Sequence, residues 1–130
     1  MSTELAITLI KVGGFYNIGF AFFHLFFWNL FNWKNDLRSL TFINRAIMQV
    51  LNLSLTFAFV IFGVISIAFA SDLAGSSLGH AFLVLLFLFW FVRGIEQVVF
   101  FKLKYWRSRA FLVLFLIGAA IYGVPAVVAH

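Results

Sequence analysis

The stretch Phe87-Leu88-Phe89-Trp90-Phe91-Val92-Arg93-Gly94-Ile95-Glu96-Gln97-Val98-Val99-Phe100-Phe101 decides how this chain is read. It is almost wholly apolar, yet an arginine, a glutamate and a glutamine stand within five positions of one another. On a helix, Arg93 lies three residues from Glu96 and four from Gln97, so the three share one face. A segment this apolar points to a membrane span. Charged groups inside hydrocarbon are costly and usually face a bundle interior. The stretch therefore predicts a spanning helix packed against others, with its few polar groups turned toward them.

The rest of the composition agrees. Of the 130 residues, 65% are hydrophobic and 10% charged, and the mean hydropathy is +1.11. A soluble domain is nearer half apolar and about a quarter charged. The expected class is an all-α integral membrane protein. With no cysteine in the chain, disulfides, thiol catalysis and thiolate metal sites are excluded. The net charge of +5 comes from lysines and arginines in short loops. Membrane topology and anionic headgroups account for that placement, and nucleic acid is not an expected partner.

Four apolar runs follow, at about residues 5–31, 44–70, 81–101 and 110–129, each near the roughly 20 residues that cross a bilayer. The alternation of a barrel strand is absent, which leaves helices as the spanning element. No basic segment precedes the first run and no small-residue cleavage site follows it, so it reads as a retained helix. The connections at 32–43, 71–80 and 102–109 are short. They predict an up-down bundle of four transmembrane helices forming one domain over residues 1–130. Leu37 and Leu40, among Lys34, Asp36 and Arg38, suggest a brief amphipathic turn, and Ser71-Asp72 with Gly75-Ser76-Ser77 a tight polar loop.

Lys34, Arg38, Arg45, Lys102, Lys104, Arg107 and Arg109 fall at one end of the helices and only Lys11 at the other. That bias places the first and third loops in the cytoplasm and both termini outside, as in a bacterial inner (plasma) membrane. Trp28, Trp33, Tyr105 and Trp106 then lie at the cytoplasmic interface.

Counted inward from that end, His24 is seven residues deep, Asn52 and Arg93 eight, and Gln49 and Glu96 five. At about 1.5 Å per residue these side chains form one layer. Run two also carries a stripe of Arg45, Gln49, Asn52, Thr56, Phe59, Gly63, Ser66 and Ala70 at helical spacing, which predicts its buried seam. Gly13, Asn17, Phe20 or Ala21 and His24 form the matching face of run one. Ala119, Tyr122 or Gly123 and Ala126 form that of run four.

Each polar group has a plain structural reading: an Arg93–Glu96 ion pair within one helix, and a hydrogen bond from His24 to Asn52 or Gln49. The functional reading makes His24, Gln49, Asn52, Arg93, Glu96 and Gln97 a binding site for an amphipathic ligand, a lipid, a quinone or similar, with its apolar part among phenylalanines. The protein would then be a small binding protein, a homo-oligomer or an accessory subunit of a larger membrane complex, in contact with membrane lipids. Two alternatives stay open. One is an enzyme acting on a lipid or quinone with Glu96 and His24 as acid and base; the other is an oligomeric proton-coupled transporter or channel. Histidine at 24, 80 and 130 gives no metal-binding set, since zinc takes three or four ligands. No cofactor is identified, and no nucleophile elbow or phosphate loop is present.

Overall fold

The computed structural model describes residues 2–129, so Met1 and the expected C-terminal His130 lie outside the described residues. It is all-helical, with 91% of residues in helix and no strand among those described. The elements are α1 (Ser2–Leu25), α2 (Phe27–Leu30), α3 (Trp33–Asp36) running into a 3-10 turn (Leu37–Ser39), α4 (Phe42–Ala68), α5 (Ala70–Gly75), α6 (Ser77–Glu96) continued by a π turn (Gln97–Phe101), and α7 (Trp106–Val128). Four segments are long and apolar enough to cross a membrane: Thr3–Leu25, Phe42–Ala68, Ser77–Phe101 and Trp106–Val128.

The chain divides into two compact units. One comprises Met1–Gly13 and Ser66–His130, the other Gly14–Ile65. In the 14–65 unit, the latter half of α1 runs antiparallel to α4. His24 meets Asn52, Phe20 meets Phe59 with ring centroids 5.8 Å apart, and Gly63 sits against Ile18 and Gly14. A Cβ added at Gly63 would stand 2.9 Å from the Gly14 carbonyl oxygen. Only a glycine lets the two backbones come this close, as at small-residue contacts between membrane helices generally.

In the other unit, α6 and α7 form a second antiparallel pair. Its rungs are Gln97 with Ser108, Trp90 stacked on Phe115 at 6.0 Å, and Phe87 against Gly123. The Tyr122 ring, fully buried, presses on Gly13, where a Cβ would lie 2.6 Å from Cζ. Its hydroxyl is 2.8 Å from that of Ser66, so the phenol keeps a polar partner in an apolar setting.

The stripe expected for run two is the buried seam: Asn52, Thr56, Phe59, Gly63, Ser66 and Ala70 are buried, with Arg45 and Gln49 half-buried. Ala119, Tyr122 and Ala126 are buried in α7 as their spacing predicts.

The helix ends differ from the sequence reading in three places. The first run stops at Leu25 rather than Phe31. There the His24 carbonyl accepts a 3.0 Å hydrogen bond from the Asn52 side chain, which satisfies one of the carbonyls a helix end leaves open. After Phe26 the chain turns through α2, and Asn32 takes the left-handed conformation (φ 53°), which asparagine tolerates. The second difference is the expected polar loop at 71–80. It is mostly helical, because Leu73 and Ala74 of α5 find burial and Ser76 starts α6 as a proper cap, accepting from the Gly79 N–H at 2.9 Å. The third is α7, which begins at Trp106 and not near residue 110, leaving a four-residue turn after Phe101. Trp33, expected at an interface, is buried edge-on against Phe27.

Candidate functional site

The six residues expected in one polar layer divide between the units. His24, Gln49 and Asn52 belong to 14–65, and Arg93, Glu96 and Gln97 to the other.

In the 14–65 unit, His24 and Asn52 are joined twice. Asn52 Nδ2 donates to the His24 carbonyl at 3.0 Å, and His24 Nδ1 lies 2.8 Å from Asn52 Oδ1. With the amide nitrogen committed to donating, the amide oxygen can only accept, so Nδ1 carries the hydrogen of that bond. Aromatic rings hold the imidazole: Phe27 stacked at 4.2 Å, Phe59 tilted at 5.2 Å and Phe23 edge-on at 5.8 Å. Thr56 donates to the Asn52 carbonyl at 2.8 Å, and Gln49 turns back to its own helix, donating to the Arg45 carbonyl at 3.3 Å. Each of these side chains makes at least one hydrogen bond within the unit.

In the other unit, Gln97 is buried and donates to the Ser108 hydroxyl at 3.0 Å; that hydroxyl in turn donates to the Lys102 carbonyl. The relay ties the end of α6 to the start of α7 across a strained point. Lys102 has φ 61° and ψ 178°, a region occupied almost solely by glycine. Such a residue persists where its surroundings over-determine it, and Gln97 and Ser108 supply that constraint. Gln97 thus shapes the turn. Neither Ser108 nor the strain was readable from sequence, since Ser108 sits in a segment whose basic residues signal only topology.

Arg93, half-buried one turn earlier, is different. Its Cζ lies 4.4 Å from the Phe115 ring centroid and 5.6 Å from that of Phe101. Among the described residues, no protein oxygen accepts a hydrogen bond from its guanidinium; its neighbours are aromatic faces. Helix side chains leave the backbone tilted toward the N-terminus. The Phe101 ring, eight positions toward the C-terminus, meets the guanidinium from that side. Glu96 is exposed on the next turn of the same face. Phe101 and Phe115 are the site residues that sequence reasoning missed. With twenty phenylalanines in the chain, nothing distinguished these two before α7 was placed on α6.

No group of three or more histidine, cysteine, aspartate or glutamate side chains is placed to hold a metal ion among the described residues. No protein-family model, curated protein or solved structure matches the chain.

Proposed function

We propose that this chain is an integral membrane protein that binds an amphiphile with an anionic group in its head, holding that group at Arg93 and its apolar part along α6. The observation that carries this reading is the half-buried Arg93 guanidinium, seated on Phe115 and Phe101 with no protein acceptor among the described residues. A guanidinium presents five N–H donors in a planar fork that fits carboxylate or phosphate bidentately. Stacking on rings satisfies its faces and leaves its edge, where those donors lie, for another group. A charged donor left unmet in a desolvated place costs about 1–3 kcal/mol or more, and the hydrocarbon interior offers no water to supply the bond.

Two further features support the reading. Arg93 stands in the Phe101 half of the Ser77–Phe101 segment, from which a long side chain can extend toward lipid heads at that end. Leu85, Leu88 and Val92 are exposed and lead up to Glu96 at spacings of three, four and four, forming an apolar track on one side of α6. On the positive-inside argument that end is cytoplasmic. His24, Gln49 and Asn52 are assigned to packing within their own unit and not to the ligand.

The test is the content of gently purified protein. Lipid extraction and mass spectrometry should find an acidic or phosphate-bearing amphiphile in stoichiometric amount, lost in Arg93→Leu while helicity and membrane insertion persist. Equal content in wild type and variant would remove the proposal.

A further inference from the structure

Arg93 does not stand alone at the head position. Glu96 lies one turn on, exposed, while the guanidinium rests on Phe115 and Phe101. A head bearing only negative charge would gain from Arg93 and be opposed by Glu96. A head carrying both signs would gain from each.

We infer that the amphiphile bound at Arg93 has a zwitterionic head in which a phosphate is paired with a primary ammonium, as in a phosphoethanolamine lipid. This rests on the binding reading above. The phosphate takes the edge of the Arg93 guanidinium, bidentate and charge-assisted. The ammonium, with three N–H donors and no acceptor, takes the Glu96 carboxylate. Positions three apart on a helix place their Cβ atoms about 5–6 Å apart. Side chains rooted that close can both reach one head whose phosphate and ammonium are joined by only two carbons. An acyl chain then follows Leu85, Leu88 and Val92 away from Glu96.

The arrangement also ranks the competitors. A choline head keeps the positive charge but has no N–H to donate to Glu96. A glycerol head has hydroxyl donors but no positive charge, so it meets the Glu96 carboxylate without the charge-assisted bond that an ammonium makes. The turn and the start of α7 carry exposed Lys102, Lys104, Arg107 and Arg109, and taken by themselves these would favour the net-anionic glycerol head. The Arg93–Glu96 face predicts the opposite order, so the two sources of selectivity can be told apart.

The experiment reconstitutes the full chain into nanodiscs of equimolar phosphatidylethanolamine, phosphatidylglycerol and phosphatidylcholine, with matched acyl chains, and reads the lipids retained on release by native mass spectrometry. Wild type should retain phosphatidylethanolamine about tenfold over either competitor, the ratio given by one charge-assisted hydrogen bond. In Glu96→Gln that ratio should fall to about one or below, and Glu96→Asp should recover part of it. Phosphatidylglycerol retained as well as phosphatidylethanolamine by wild type, or an unchanged ratio in Glu96→Gln, would overturn the headgroup assignment while leaving a phosphate at Arg93. Retention of every phospholipid unaltered in Arg93→Leu would instead remove the site itself. Circular dichroism on each variant shows whether it has kept its helices.

Discussion

His24 and Arg93 were expected at one depth and in one role, and the structure surrounds them differently. His24 gives its Nδ1 hydrogen to Asn52, receives the Asn52 amide on its carbonyl, and has Phe27 stacked on its ring. Arg93 has rings against its guanidinium and no oxygen of the protein on its donors among the described residues. Both are polar groups in apolar helices long enough to cross a membrane, and in hydrocarbon an unanswered donor would have no water to turn to. The difference teaches how to separate a packing element from a site. A polar group answered by its own fold specifies how helices pair, while one left unanswered points to something the fold does not contain.

The comparison can be broken or sharpened by substitution. The largest effect is expected at the unanswered group. Arg93→Leu should lower bound amphiphile by up to about a hundredfold, the upper range for a charge-assisted bond, measured as lipid per protein after purification. Next is Gly13→Ala, which drives a methyl group into the fully buried Tyr122 ring. A loss of about 2 kcal/mol is expected for overpacking of this kind, seen as earlier unfolding in detergent. Asn52→Leu removes both bonds to His24 and should cost about 1–2 kcal/mol, in the range of interhelical hydrogen bonds in membranes and of stranded polar groups. Its bound lipid should stay at the wild-type level, because the pair belongs to packing. The smallest effect has the opposite sign. Lys102→Gly relieves a backbone conformation that costs about 1–3 kcal/mol in other residues, less the added chain entropy of glycine. A net stabilisation of about 1 kcal/mol should appear as a higher unfolding temperature.

The sequence carried the four long apolar helices and their buried faces well, because both depend on local pattern. Twenty consecutive apolar residues state a spanning helix, and the small and polar positions of run two from Asn52 to Ala70 state its buried side. What it did not carry depends on partners distant in the chain. Phe26 contains no helix breaker, and the first helix ends there where Asn52, twenty-eight positions after His24, caps it from α4. Ser71 to Ser77 is rich in turn residues and reads as loop, yet Leu73 and Ala74 gain enough burial to hold a short helix. At the candidate site Arg93 and Glu96 stood out by their cost in hydrocarbon. Phe101 and Phe115 did not, since ring contacts with Arg93 exist only once α6 and α7 are paired.

The most direct trial of this distinction purifies wild type, Arg93→Leu and Asn52→Leu in parallel and quantifies the lipid each retains. The account predicts wild-type content in Asn52→Leu despite its lower stability, and loss in Arg93→Leu despite an intact fold. Equal loss in both variants, or in neither, would contradict it.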